Sequence, residues 1–525
     1  MAHDDQRMLK EPLISEKEDF FDKDESILSL REANKLFFFR KLATMRPAHL
    51  VRILKRIGYC LTPQLVRAYA WDEKAPKSKV FPTSYLNGLR GMASVKVFTF
   101  HYMHFYSDST TMPWGHDSRH SYLLEMPIIR YFYAGTTAHV FYGCAGYLTT
   151  LRLVQQLGKT DPAIRSRVLV NVSGALFRRA LRLYLPTMIV MLVTTHYIYF
   201  GLYESNRGYI SANHALPFNE PRPKQFATYS EQLANWWEEF AKLTDLFQWG
   251  TRPLHDCHLW SILAEMQGSL LLYLILIATA QCKHLVRLVA MCSMLFMLFL
   301  WNRWDISVYI LGGIVGQVDA MIIEKHQESK LTLSPSLPPS SPGKSATVWS
   351  RARRTPHSFA RILGYLASFY FMSYPAWGYN KKAKGYQTLD LFIPRGMANP
   401  EMFYPLVGTG LLLFMLARAD PATSVWRRLL NSDLCAYLGK VSFALYLLHG
   451  PVLHAIGYMI PHYIWSSMGV QPKELGNFSW TVVVVIGWSI SLALCLCAAD
   501  VWQREVESRC VKVVKKLEDY SFVKG

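Results

Sequence analysis

The sequence predicts an all-α fold, a polytopic membrane helix bundle of about ten transmembrane helices with no soluble enzyme domain. Three observations carry that expectation. Hydrophobic residues make up 51% of the 525-residue chain and charged residues only 18%. The apolar residues gather in windows of about 20, the length that crosses a bilayer as a helix. The basic excess, 57 Lys and Arg against 38 Asp and Glu for a net charge of +19, falls between those windows. In a soluble chain that excess would raise nucleic acid as a partner. Here it reads as membrane topology and contact with anionic lipid headgroups, so membrane lipids are an expected partner and nucleic acid is not.

Residues 1–34 are acidic and polar and lack the apolar core of a signal peptide, which predicts a disordered, uncleaved N-terminus. Residues 35–82 mix apolar positions with Arg40, Lys41, Arg46, Arg52, Lys55, Arg56 and Arg67, the pattern of a basic amphipathic segment lying in the cytoplasmic membrane surface. Spans are expected at about 86–106, 128–150, 180–203, 258–280, 285–301, 304–323, 358–378, 403–418, 436–460 and 479–502, within a transmembrane domain covering 83–505. Basic residues alternate sides along this series, which puts both termini in the cytoplasm. The segment 204–257, nearly balanced in charge, is then lumenal or extracellular. The Ser- and Pro-rich linker 324–357 and the basic tail 506–525 are cytoplasmic. The nine cysteines show no metal-like pairing, and no metal is expected; Cys495 and Cys497, inside an apolar run, read as helix surface.

Ionisable residues inside spans are costly and are therefore functional candidates. In the first span Arg90 and His101 are eleven residues apart, so they share one helix face with the cation at the cytoplasmic mouth and the imidazole roughly 16 Å deeper. In the fourth, His258, Ser261, Glu265 and Ser269 form a polar stripe, and Glu265 needs a cation or donor, for which His101 or an arginine is available. In the ninth, Ser442, Tyr446 and His449 share a face. The third opens with Arg178, Arg179 and Arg182, which read either as plain positive-inside charge or as a grip on phosphates. His139 in the second span is a weaker candidate. Three helices thus offer His101, Glu265 and His449 at similar depth, with arginines at the cytoplasmic mouth. A general base near an anion-holding site is what acyl transfer from coenzyme A to an alcohol requires.

Four patches carry a family resemblance: Tyr85-Leu86-Asn87-Gly88-Leu89-Arg90-Gly91 through His101, Phe141-Tyr142-Gly143-Cys144-Ala145-Gly146-Tyr147, Trp260-Ser261-Ile262-Leu263-Ala264-Glu265-Met266-Gln267, and Leu438 through Pro451. Together, in that order, they resemble the membrane-bound acyltransferase-3 family, whose members O-acylate carbohydrates and small molecules with acyl-CoA. The resemblance implies a catalytic role for His101 and places the family's paired arginines on Arg179 and Arg182. The chain departs from the usual pattern at Asn87, Ala145, Met266 and Gly450. The basic preamble and Pro82-Thr83-Ser84-Tyr85-Leu86 resemble filamentous-fungal members, some of them encoded with natural-product genes.

The reading that follows is a multi-pass O-acyltransferase of an endomembrane or the plasma membrane. It would transfer acetyl or another short acyl group from acyl-CoA, acetyl-CoA first, to a hydroxyl of a small molecule such as a fungal secondary metabolite, or of a carbohydrate. His101 would take the proton, Glu265 would orient or stabilise the imidazolium, His449 would share the site, and Arg90, Arg179 and Arg182 would hold coenzyme A phosphates. The competing class is a membrane transporter of an anionic substrate, which would also place charges within spans.

Overall fold

The computed structural model describes residues 58–59, 62–70, 81–107, 110, 113–114, 123–134, 138–157, 162–203, 223–248, 252–333, 358–375, 383–397, 399–472 and 474–522. The expected disorder of 1–34, most of the 35–82 amphipathic segment and most of the 324–357 linker lie outside them. Among the described residues there are helices and turns and no strand. In chain order the main helices are α1 (Gln64–Ala70), α2 (Ser84–Tyr106), α3 (Ala138–Leu157), α4 (Pro162–Tyr199), α5 (Tyr229–Thr244), α6 (Trp260–Ala278), α7 (His284–Leu300), α8 (Trp304–Leu333), α9 (Ser358–Met372), α10 (Phe403–Arg418), α11 (Val425–Leu430), α12 (Asp433–Ala455), α13 (Ile460–Ser467), α14 (Asn477–Trp502) and α15 (Ser508–Ser521).

Four helical stretches are long and apolar enough to cross a membrane: Cys257–Ala278, Trp304–His326, Pro400–Arg418 and the continuous Asn477–Ser521. The pair Asp433–Ala455 and Gly457–Ser467, bent by 42°, makes a fifth. The chain is thus a helical protein of multi-pass membrane character. Rows of exposed apolar side chains say the same. Leu285, Val289, Phe296 and Leu300 on α7, and Phe478, Val485, Ile486 and Ile490 on α14, face outward, an arrangement that suits lipid and not water.

Helix limits differ from the sequence expectation where local chemistry intervenes. The segment begun at 128 is a short 3₁₀ turn, Ile129–Phe132, and α3 starts only at Ala138. The third expected span starts eighteen residues early in sequence, at Pro162, a residue pre-set for the first helical turn, and runs through Pro186. Of the two cysteines read as helix surface, Cys497 is exposed but Cys495 is buried in the core of α14.

Two apolar clusters share α6. One joins α3, α6, α8 and α10 through Tyr142, Tyr147, Leu272, Tyr309 and Leu413; the other joins α2, α4, α6, α12 and α14 through Phe98, Leu183, Ile262, Leu445 and Val484. The contact that positions the site is α2 against α12. A Cβ on Gly91 would lie 2.6 Å from the Leu438 carbonyl carbon, and one on Gly439 would lie 2.7 Å from that of Asn87. Only glycine lets the two backbones approach this closely, and the close approach brings the far ends of both helices, with His101 and His449, together.

Candidate active site

His101 of α2, His449 of α12 and His258, in the 3₁₀ turn Cys257–Leu259 that opens α6, converge from three separate elements. Ring centroids lie 4.0 Å apart for His101 and His258, 4.8 Å for His258 and His449, and 5.1 Å for His101 and His449. One ring nitrogen from each lies within 4.8 Å of the others, and among the described residues this is the one cluster with spacing that also suits a metal ion. His258 and His449 are buried and His101 is partly exposed.

Neighbours fix the rings. Nδ1 of His258 lies 2.6 Å from Oδ1 of Asp256, both side chains being 2% exposed. Nδ1 of His449 meets the Tyr446 carbonyl oxygen at 2.5 Å. Both contacts have an obligate acceptor, so each Nδ1 carries the hydrogen and each Nε2 is left as the basic nitrogen. A chain of hydroxyls holds the backbone beneath: Ser261 donates to the Tyr446 hydroxyl at 2.6 Å, and Tyr446 donates to the His258 carbonyl. Tyr142 donates to the Ser261 carbonyl at 3.2 Å, and the Tyr458 hydroxyl reaches the His101 carbonyl at 3.4 Å.

The other sequence candidates fall in different places. Glu265 meets Arg179 at 2.8 Å, with side-chain exposures of 25% and 22%. The arginine option foreseen for that carboxylate is the one the structure realises, and the carboxylate on an imidazole is Asp256. Ser442 shares a helix face with Tyr446 but donates to its own helix at Gly439. His139 is fully buried and stacks on Trp304 at 5.3 Å, outside the three-ring cluster. Arg90 and Arg182 lie near enough for their charges to act on Glu507, in the single π-helical turn Gln503–Glu507 between α14 and α15. Arg178 pairs with Glu518 of α15. Arg90, Arg178 and Arg182 thus lie towards the C-terminal segment, whereas Arg179 turns to α6.

Asp256 and His258 are the site residues sequence reasoning passed over or underused. Asp256 stays ionised: burial alone would raise its pKa, but His258, through its hydrogen bonds and through its charge when protonated, and His449 likewise, hold it below the usual carboxylate value. His255 beside it is pushed down to about 4 by burial, against the pull of Glu239 and Asp256.

A buried imidazole cluster with an ionised carboxylate behind it, in a helical bundle of membrane character, defines a class of protein able to move a proton during group transfer. Residues 83–499 match the acyltransferase-3 family, described as an acyltransferase domain, and the chain belongs to that family. It is similar to the O-acetyltransferase PaAT-1 of Phomopsis amygdali, 25% identical over 459 residues, covering 82% of this chain and 84% of that protein. It is also similar to acyltransferase R4 of a Phoma species and acyltransferase clz18 of Cochliobolus lunatus, each 24% identical and covering 84% of this chain and 97% of the relative. No solved structure matches the chain. The protein is an acyltransferase that moves groups other than aminoacyl groups.

Proposed function

We propose that this chain is an integral membrane O-acyltransferase that moves acetyl, or another short acyl group, from acyl-CoA to a hydroxyl of a small molecule or of a carbohydrate. The observation that carries the reading is the convergence of His101, His258 and His449, with centroids 4.0–5.1 Å apart, at the end of α2 remote from Arg90. His101 takes the acceptor's proton as the hydroxyl oxygen attacks the thioester carbonyl, and His449 shares that space. Arg90, Arg179 and Arg182 hold the phosphates of the donor, guanidinium groups being suited to that grip. The similarity to an O-acetyltransferase supports acetyl as the group transferred, and the resemblance of the preamble to filamentous-fungal members makes a secondary metabolite the acceptor proposed.

The same proposal includes the topology: ten crossings with both termini cytoplasmic, 204–257 on the far side, and the membrane domain spanning 83–505. Besides the five stretches that qualify on length and apolarity, the reading needs α2, α3, α4, α7 and α9, each of which overlaps an expected span, to cross as well. Purified protein in detergent tests the function. Acyl transfer from acetyl-CoA needs no gradient and should proceed there, whereas an anion transporter would act only in a sealed vesicle.

A further inference from the structure

His258 and Asp256 have no part in the proton transfer assigned so far, yet they are the most tightly held members of the cluster. The His258 backbone N–H also donates to Oδ1 of Asp256, at 3.0 Å, so one oxygen grips both ends of the residue. The second oxygen, Oδ2, is buried and has no hydrogen-bond partner among the described residues. An ionised carboxylate in such a place costs free energy unless a positive charge accompanies it. Among the described residues, those facing His258 from the packed elements include His101 of α2 and His449, His454 and Tyr446 of α12, groups that carry no permanent charge. The backbone of α12 makes room for the arrangement. A Cβ on Gly450 would lie 2.7 Å from both Asp256 oxygens and 2.7 Å from Nδ1 of His258, so any other residue there would displace the pair.

We propose that Asp256 and His258 are the charge-holding half of the catalytic centre: His258, edge-on to His101 at 4.0 Å, shares the proton taken from the acceptor, and Asp256 is the positioning residue that makes that shared cation stable. The inference rests on the acyl-transfer reading. The hydroxyl O–H bond breaks and its proton goes to the imidazole pair, while the oxygen bonds to the acyl carbon. The carbon–sulfur bond breaks with its electron pair on sulfur, and the thiolate then takes the proton back to leave as free thiol. Asp256 fixes Nδ1–H of His258 so that Nε2 is the nitrogen that cycles.

The test uses the full chain purified in detergent, acetyl-CoA as probe, and free thiol as readout. Asp256→Asn keeps shape but removes the charge, and His258→Gln removes the basic nitrogen. Both should lower kcat about a hundredfold or more while the KM for acetyl-CoA stays within about threefold, because neither touches the arginines. A structural role would instead lower thermal stability and leave the kcat of the folded fraction unchanged. Gly450→Ala keeps both groups and crowds them. It should lose kcat in the same manner and decides the matter if the Asn variant does not fold. Full kcat in Asp256→Asn, or in His258→Gln and Gly450→Ala together, overturns the dyad while acyl transfer stands. Absence of thioester cleavage by the unsubstituted protein removes the acyl-transfer reading and the dyad with it.

Discussion

His101→Gln separates catalysis from packing at the residue proposed as the general base. The ring is edge-on to His258 at 4.0 Å and lies 5.0 Å from Phe100 and 5.1 Å from His449. Gln fills most of that space and keeps hydrogen-bonding capacity, so its cost in stability should be under about 1 kcal/mol, and Ala, which leaves a gap beside two other rings, should cost about 1–3 kcal/mol. Neither can accept the proton. Loss of a general base slows a reaction about a hundredfold to ten-thousandfold, which at 1.36 kcal/mol per tenfold is about 3–5 kcal/mol of activation free energy. The kinetic effect therefore exceeds the stability effect severalfold for Gln, and the two variants should be equally inactive although unequally stable. The assay is acyl transfer from acetyl-CoA at matched membrane abundance, with thermal unfolding in detergent alongside. His449→Ala provides the comparison and should lose activity only in part. Substantial activity in either His101 variant would refute the assignment and move the base to His258 or His449.

Arg179→Ala and Arg182→Ala should raise the acetyl-CoA requirement more than they slow saturated turnover, as a phosphate clamp acts mainly on binding; unchanged donor dependence in a titration would leave them as topological charge. Because Arg179 is also the Glu265 partner, at 2.8 Å and partly exposed, a double-mutant cycle with Glu265→Gln should show coupling of about 1 kcal/mol in stability. Cysteines introduced into 204–257 and 324–357 should label from opposite sides of the membrane, and labelling from one side would end the ten-span topology. His255, held near 4 when folded against about 6.5 when unfolded, binds its proton mainly in the unfolded chain. Its contribution to stability is therefore complete above pH 6.5 and lost as pH falls towards 4. His255→Gln should flatten the fall in melting temperature across that window, and an unchanged slope would show that other groups govern it.

The membrane character was legible because hydrophobic windows of helical length are a global signal that local irregularities do not hide. The pairing of α2 with α12 was half legible. Gly91 and Gly439 are visible in the sequence, but that they face each other is a property of packing. Glu265 illustrates the limit of face arithmetic. It lies on the same stripe as His258, yet seven residues along a helix is about 10 Å, far enough to meet Arg179 rather than the imidazoles. Asp256 was invisible to the same arithmetic because it precedes the helix, on an extended residue ahead of a 3₁₀ turn. The signal that could have found it is the Asp-x-His spacing immediately before Trp260-Ser261, which lets a carboxylate fold back on the imidazole two residues later. Ser442 sits on the expected face, and its hydroxyl donates to Gly439 because a serine within a helix readily satisfies itself on its own preceding turn.

The central claim is tested most directly by incubating the detergent-purified chain with acetyl-CoA labelled in the acyl group and an extract of hydroxylated small molecules, then quantifying free thiol and labelled ester. The account predicts equal amounts of both, formed without a membrane gradient and abolished by His101→Gln. Labelled anion accumulating only in sealed vesicles, with no ester formed in detergent, would contradict it.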